Sequence, residues 1–370
     1  MPEIIQPAYL AIFSSFFLLS LIVHFVFRIL FKRLNIVDKP DGIKKKHKKA
    51  IPISGGISIV TSLVLIAVIY FFLDSSELIE TLLQNEKLKI NSPALDIRTG
   101  LLIGFTGLIV AAVSFFDDIL ELPIWFRFMT LILCSSIVIS LSNLSLSSLG
   151  DLLGFGEIKL DGIYSTLITI FCIVGVANAF NWIDGLDGLF SSQVLIATGS
   201  IFYFVGGNGV FLILFLLAFL PYMMMNAGFF GESIKVFIGD HGAMALGYSI
   251  GWMLVSIAEF GAINPITAPW IIGLVLLNAI RVMYKRLLLG VSLFRSDREH
   301  IHHFFLDNNY SRRLSLLIIV LISSSIALIG LLFQAGGVPE SVAFVSFLGI
   351  FVVWSFLSYS LNKKIRNQGA

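Results

Sequence analysis

Long apolar stretches separated by short polar connections run through this chain from end to end. A stretch of about twenty apolar residues is the length that an α-helix needs to cross the hydrocarbon core of a bilayer. The pattern predicts about eleven such helices, over residues 8–31, 53–73, 99–116, 124–141, 164–180, 189–206, 209–227, 242–259, 266–284, 314–333 and 341–361. We therefore predict an all-α, polytopic integral membrane protein with a single transmembrane domain over residues 1–370.

The composition agrees with this class, because 57% of the 370 residues are hydrophobic and only 13% are charged. Soluble domains carry about 25% charged residues. The two cysteines, Cys134 and Cys172, lie in separate apolar stretches, so we expect neither a disulfide framework nor a thiolate metal site. No basic segment precedes the first apolar stretch, which argues against a cleaved signal peptide. We expect the lipid bilayer as a partner and no nucleic acid.

Basic residues are concentrated in three polar segments, 32–49, 285–313 and 363–366. Lysine and arginine are enriched in the cytoplasmic connections of membrane proteins, which places these segments inside the cell. The N-terminus is then expected outside and the C-terminus inside. With this orientation the polar motifs of the chain reach the cytoplasmic face, whereas an ion pathway would place its polar groups near the bilayer centre.

The motif NAFNWIDGLDG, residues 178–188, follows the fifth apolar stretch and contains polar residues at three-residue intervals. They are Asn178, Asn181, Asp184 and Asp187. Polar groups at a membrane boundary are costly unless they have a task, and their oxygens suit magnesium or manganese. The two glycines of the motif let the backbone leave helical geometry. The alternative is a polar helix end with a glycine cap, which needs one glycine and no pair of aspartates.

Two further polar motifs lie at the same predicted face. Asp117 and Asp118 end the third apolar stretch, and adjacent carboxylates repel each other, so one of them can act as a base. The alternative is that they only end a helix in water. The segment HIHH, residues 300–303, could form a zinc site, but no cysteine lies near it and no fourth ligand is evident.

Four motifs occur together along the chain: FFDDILELP, NAFNWIDGLDG, KVFIGDHGAM and DREHIHH. In this combination, and over nearly its whole length, the chain resembles the polyprenyl-phosphate N-acetylhexosamine 1-phosphate transferases of glycosyltransferase family 4. It is most similar to the bacterial enzymes that use undecaprenyl phosphate and UDP-N-acetylglucosamine. The resemblance implies a cytoplasmic active-site face in the bacterial inner membrane, and a periplasmic N-terminus.

The activity implied by the resemblance is transfer of N-acetylglucosamine 1-phosphate from UDP-N-acetylglucosamine to undecaprenyl phosphate, with release of UMP. The product would start a cell-surface polysaccharide. Another UDP-N-acetylhexosamine, or UDP-MurNAc-pentapeptide, is the alternative donor. A polytopic transporter is the alternative class, although a transporter would carry its acidic residues near mid-span and often shows repeated halves.

The resemblance also implies a divalent metal, Mg²⁺ or Mn²⁺, that would bridge the donor diphosphate. Asp240 and Asn181 are expected to be its direct ligands, with Asp184 and Asp187 close to it. Phe237 is expected to stack on the uracil ring, and Asp187 to contribute to recognition of the uridine.

For the acceptor, the resemblance implies a role for Asp117 either as a base for the lipid phosphate or as a nucleophile. We favour single displacement, because a lipid phosphate is already an anion near neutral pH. Asp118 is expected beside it. Arg127 matches a cation for the lipid phosphate, with an ordinary inside-positive anchor as the alternative.

Basic side chains of the cytoplasmic loops are expected to hold the donor, since arginine suits bidentate binding of phosphate. By resemblance Arg286 and His300 match positions of the family, with Arg298, His302 and His303 beside them, and His47 is expected to line the same pocket.

Three departures from the family pattern leave the sugar open. His241 follows the Gly-Asp pair where a small residue is usual, Asn278 stands where an aspartate is common, and residues 292–297 lack two prolines. N-acetylglucosamine remains the expected sugar, and a homodimer is also left open.

Overall fold

The computed structural model describes residues 7–40, 49–74, 95–120, 122–205, 209–292 and 301–368. Within them the regular structure is almost entirely helical, which confirms the predicted all-α class. The helices, in chain order, are α1 Pro7–Arg33, α2 Gly55–Asp74, α3 Ile97–Leu120, α4 Trp125–Ser142, α5 Ile163–Ile183, α6 Leu189–Val205, α7 Val210–Asn226, α8 Gly239–Glu259, α9 Thr267–Ile271, α10 Gly273–Leu288, α11 Ile301–Asp307, α12 Arg312–Ala335 and α13 Glu340–Gln368. Two short strands, β1 Val37–Asp38 and β2 Ile51–Pro52, pair antiparallel, with Val37 opposite Pro52.

Every predicted apolar stretch contains a helix. Seven helices of the described residues are long and apolar enough to cross a membrane, namely α1, α2, α3, α4, α5, α8 and α12. The apolar helices α6 and α7, and residues Glu340–Phe356 of α13, are shorter. The ninth stretch is divided into α9 and α10 at Ile272, whose φ of −106° and ψ of 28° are not helical. The number of crossings therefore stays a prediction.

The chain forms two compact units. The first contains Met1–Leu144 and Val205–Met253, and the second contains Ser145–Phe204 and Leu254–Ala370. The single domain over residues 1–370 stays a prediction, and the two units are described separately below.

In the first unit α2 lies at the centre, packed against α1, α3 and α7, while α4 packs against α3 and α7 packs against α1. Small residues allow the close packing. A Cβ atom at Gly100 would overlap the ring of Phe211 on α7. The buried hydroxyl of Tyr248 donates a hydrogen bond to Thr106 Oγ1 at 3.0 Å, which satisfies a polar group inside an apolar interface.

In the second unit α10 packs against α5, α12 and α13, and α12 also packs against α9 and α11. Trp270 of α9 anchors this core, with its ring at 5.4 Å from Phe333 and 5.3 Å from Phe347. A Cβ at Gly330 would overlap Trp270, so the helices approach closely at this point. This packing keeps α9 and α10 in place on either side of the break at Ile272.

Candidate functional site

The polar site of the first unit is built around the N-terminus of α8. The segment before this helix runs beside β2, because the Phe237 N–H donates to the Pro52 carbonyl at 2.9 Å. In return, the N–H groups of Gly55 and Gly56 donate to the carbonyls of Phe237 and Ile238, both at 2.9 Å. The beginnings of α2 and α8 are therefore joined by backbone hydrogen bonds.

Glycines make this junction close. Gly56 and Gly242 face each other so tightly that a Cβ on either would overlap the backbone of the other. Gly239 has a φ of +72°, a conformation that favours glycine, and a Cβ there would also overlap the His241 ring. The first turn of α8 then carries Asp240, where the helix dipole favours a carboxylate.

The same segment is held from its other side by two residues that the sequence analysis missed. Arg28 of α1 donates from Nε to the carbonyl of Ile234 at 3.0 Å, and Asn226 at the end of α7 donates to the carbonyl of Val236 at 3.0 Å. Arg28 is a cation inside the first apolar stretch. Because a charge in an apolar membrane segment costs free energy, its position there was a signal that it has a partner. These contacts fix the position of Phe237, which is partly exposed.

The adjacent aspartates at the end of α3 have different partners. Asp117 is only 3% exposed and forms an ion pair with Arg127 Nε of α4. Asp118 Oδ2 lies 3.2 Å from Nδ1 of His241 on α8. The alternative that both residues only end a helix in water is wrong for Asp117, because its carboxylate is buried and paired. Successive residues of a helix point about 100° apart, so each carboxylate meets a different neighbouring helix.

Asp240 completes this group. It precedes His241 in the first turn of α8, and its charged neighbours are Asp118, Arg127, His241 and Asp117. The first unit thus brings together three predicted acidic residues, the predicted cation Arg127 and one histidine. Carboxylate oxygens are hard donors of the kind that a divalent cation such as Mg²⁺ prefers.

In the second unit the motif 178–188 forms a helix end and a tight turn. Helix α5 ends at Ile183, and Asp184 adopts an extended conformation with φ −75° and ψ 96°. Of the two glycines expected to leave helical geometry, Gly188 has the positive φ of +83°, and Gly185 does not. Asp184 is exposed, whereas Asn181 and Asp187 are partly exposed.

Arg286 of α10 lies at the same end of α5, over the ring of Trp182. Its side chain is 4% exposed, and its guanidinium carbon lies 5.2 Å from the centre of the Trp182 ring. Such a cation–π contact holds the planar guanidinium in one orientation. The role of Trp182 was not predicted, although an indole inside the polar motif, next to Asn181, was a usable signal.

The departure at Asn278 has a structural role. Its Oδ1 accepts a hydrogen bond from the Ile301 N–H at 3.1 Å, which fixes the first residue of α11 against α10. His302 and His303 lie on α11, and only their backbone is described. His47, Arg298 and His300 lie outside the described residues.

The metal assignment remains a prediction. Asp240 belongs to the first unit and Asn181 to the second. Over the ranges that the structure describes, no group of three or more His, Cys, Asp or Glu side chains is arranged to hold a metal ion. The fit to a cation therefore rests on the oxygen chemistry of the carboxylates at the start of α8.

Comparison with known proteins identifies the family. The sequence pattern described as Glycosyl transferase family 4 matches residues 100–258. The undecaprenyl-phosphate alpha-N-acetylglucosaminyl 1-phosphate transferase of Escherichia coli (strain K12) is 31% identical over 351 residues, covering 92% of this chain and 89% of the relative. The enzymes of the same name from Yersinia pestis and Pasteurella multocida (strain Pm70) are 31% and 32% identical, each over 92% of this chain and over 88% and 92% of the relatives. The chain therefore belongs to glycosyl transferase family 4, as its motifs predicted.

Proposed function

We propose that this protein transfers N-acetylglucosamine 1-phosphate from UDP-N-acetylglucosamine to undecaprenyl phosphate and releases UMP. The observation that carries the proposal is the similarity, over 92% of the chain, to transferases whose names state this acceptor and this sugar. The product is a lipid-linked diphosphate sugar, which would start a cell-surface polysaccharide.

In the proposed step, an oxygen of the lipid phosphate forms a bond to the donor phosphorus that carries the sugar. The bond from that phosphorus to the bridging oxygen breaks, and this oxygen leaves with UMP. Both reactants are anions, so catalysis depends on positioning and on neutralising charge. We assign Asp240 and Asn181 as ligands of Mg²⁺ or Mn²⁺, which when bound neutralises and polarises the donor diphosphate.

The pair of Asp117 and Arg127 is proposed to serve the acceptor. Arginine carries five N–H donors in a rigid fork, and Asp117 accepts from one of them, the Nε–H of Arg127. The ion pair orients the guanidinium, whose other donors suit a bidentate contact with the lipid phosphate. Asp117 would also accept the proton of the fraction of lipid phosphate that is still protonated. In this role it acts as a base in a single displacement, without a covalent enzyme intermediate.

The donor is proposed to lie against Phe237, Asp187 and Arg286. Phe237 sits in a segment held by hydrogen bonds to β2, α1 and α7, which suits a ring that stacks on uracil. Arg286 is held on the Trp182 ring, and a guanidinium with a preset orientation loses less entropy when it binds a diphosphate. The remaining basic residues of the proposal are Arg298, His300, His302, His303 and His47.

A purified-enzyme assay tests the reaction. The protein in detergent is incubated with undecaprenyl phosphate, Mg²⁺ and, in separate reactions, UDP-N-acetylglucosamine, UDP-N-acetylgalactosamine and UDP-MurNAc-pentapeptide, and UMP release and lipid products are measured. We expect release with UDP-N-acetylglucosamine. UMP release with only one of the other donors would change the sugar that we assign. No UMP release with any donor would contradict the proposed function.

Cysteine labelling tests the proposed orientation, with a periplasmic N-terminus and a cytoplasmic C-terminus. Cys134 and Cys172 are first replaced by alanine. A cysteine at Phe155, which is 95% exposed between α4 and α5, should react with an impermeant thiol reagent outside intact cells. A cysteine at Leu289, which is 64% exposed after α10, should react only after the membrane is opened. The reverse pattern would place the donor site on the wrong side of the membrane for a cytosolic nucleotide sugar.

A further inference from the structure

His241 is a fully buried titratable side chain that the proposed mechanism does not use. It follows Asp240 in the first turn of α8 and has no exposed surface. Burying an imidazole costs free energy unless its polar atoms are paired, and an apolar residue of similar size would fill the same space at lower cost. The contacts of His241 should therefore show what the polar ring does.

The pocket around the ring orients it. The Phe115 ring lies 5.4 Å away at 85°, in an edge-to-face arrangement. Gly56 and Gly239 also border the ring, because an added Cβ at either position would overlap the imidazole. Enclosed by aromatic carbon and glycine backbone, the ring has little freedom to turn.

Among the residues that the structure describes, the ring has one polar contact. Nδ1 lies 3.2 Å from Asp118 Oδ2, while Nε2 is buried and has no hydrogen-bond partner among the described residues. An ionised carboxylate only accepts hydrogen bonds, so Nδ1 carries the proton in this contact. The whole polar function of the buried ring is thus directed at Asp118.

Asp118 needs such a partner. It follows Asp117 directly, and its contact with His241 brings it to the first turn of α8, which also carries Asp240. Arg127 is the nearby cation, and it is already paired with Asp117. Without a second donor, Asp118 would compete with Asp117 for Arg127 or turn away from Asp240. Either change would disturb the Asp117–Arg127 pair or the position of Asp118 beside Asp240.

We propose that His241 is a positioning residue, whose Nδ1–H holds the Asp118 carboxylate beside Asp240 and away from the Asp117–Arg127 pair. The hydrogen bond separates the two adjacent aspartates into an acceptor-side pair and a carboxylate that faces the start of α8. This inference rests on the proposed transferase function, since it assigns His241 an effect on turnover through Asp118.

Three substitutions separate positioning from packing. His241→Phe keeps an aromatic ring of somewhat larger volume but removes the donor, and we expect kcat to fall about 10- to 100-fold, as for other groups that orient functional ligands. His241→Asn can present an amide N–H near the position of Nδ1, and it should recover most of that loss. The KM values for both substrates should change much less than kcat, because the proposed partner is a carboxylate of the protein.

Another buried histidine provides the matched control. His24 of α1 is 1% exposed, and within the described part of the chain its Nδ1 lies 2.8 Å from the Ser20 carbonyl of its own helix. His24→Phe therefore makes the same substitution in an equally buried position without touching the aspartates. We expect its kcat to stay within about twofold of the parent protein, with both variants folded as judged by Tm.

A double-mutant cycle tests the route through Asp118. In the Asp118→Asn background, His241→Phe should lower kcat little further, because the interaction is already lost. Multiplicative losses would overturn the proposal. So would an unchanged kcat in His241→Phe, or an equal kcat loss in His241→Phe and His241→Asn.

A spectroscopic measurement keeps the inference separate from the function. In protein labelled with ¹⁵N-histidine, the His241 ring signals are assigned among the six histidines by their absence in His241→Asn. At one fixed pH, Asp118→Asn should shift the Nδ1 signal of His241 and leave that of His24 in place. If no donor supports UMP release but this shift is seen, the proposed function fails and the hydrogen bond stands. If UMP is released but no shift is seen, the positioning role fails.

Discussion

The proposed site residues of the two units have different kinds of partners. In the first unit, side chains from α3, α4 and α8 form pairs of acid and base, Asp117 with Arg127 and Asp118 with His241. In the second unit, the buried Arg286 lies on the face of an aromatic ring, Trp182, that belongs to the polar motif itself. Removing one partner of an ion pair leaves the other uncompensated, whereas removing the Trp182 ring takes away one of the contacts that orient Arg286. The two sets of residues should therefore respond differently to substitution.

The largest effect is expected at Asp240, where the first unit gathers its negative charge. Asp240→Asn removes an anionic ligand next to the reacting phosphate, and losses of charge stabilisation there commonly lower turnover about 10²-fold or more. Activity should be measured by UMP release, with EDTA abolishing and Mg²⁺ or Mn²⁺ restoring the activity of the parent protein.

Glu232→Gln is the matched control for Asp240→Asn. It makes the same kind of change in the segment before α8, at a side chain that is 79% exposed and pairs only with Lys235 among the described ion pairs. Its activity should be unchanged, because exposed pairs contribute little. Near-normal turnover of Asp240→Asn with Mg²⁺ would remove the metal assignment.

The next largest effect is expected at Asp117, and its pH dependence distinguishes the two roles left open. Asp117→Asn should lower the rate about 10²-fold at low pH, the usual contribution of a base. Phosphate monoesters lose their second proton with a pKa of about 6, so raising the pH through this range supplies an ionised acceptor and should recover part of the rate. A covalent nucleophile would show no recovery, because an amide cannot replace the attacking carboxylate.

A smaller effect is expected in the second unit, and it should fall on the donor. Arg286→Ala should raise the KM for the UDP-sugar about tenfold, the scale of one charge-assisted hydrogen bond, without the pH recovery expected for Asp117→Asn. Trp182→Phe keeps an aromatic face and should change KM less than Trp182→Leu. If Arg286→Ala and Asp117→Asn give the same pH profile and the same donor defect, the division between the two sets of residues is wrong.

The smallest effect is expected at Asn278, whose side chain orients α11 and is proposed to touch no substrate. Asn278→Leu removes the acceptor for the Ile301 N–H and should lower the free energy of unfolding by about 1 kcal/mol, seen as a lower Tm. Asn278→Asp keeps an acceptor oxygen for the Ile301 N–H, so its Tm should fall less than that of Asn278→Leu. Equal losses in the two variants would mean that the amide has another role.

The motifs that could be found by sequence alone are those in which the chemistry is contiguous. The spacing of Asn181, Asp184 and Asp187 was visible because a helix end and a turn bring together residues that are already neighbours in the chain. The start of α8 was visible for the same reason, since Gly239 and Asp240 are adjacent. Arg28 was missed because it donates to the carbonyl of Ile234, which is distant in the chain. Trp182 was missed because it acts through the face of its ring, on Arg286 of another helix.

The amino-acid sequence by itself determined the membrane class, the helical positions and the family, because a bilayer demands long apolar stretches and the motifs are local. Only the tertiary structure decided which partner each polar side chain has. Asp117 and Asp118 are chemically identical neighbours, and nothing in their order assigns Arg127 to one and His241 to the other. That choice depends on the direction in which each side chain leaves α3 and on which helix packs there, α4 beside Asp117 and α8 beside Asp118.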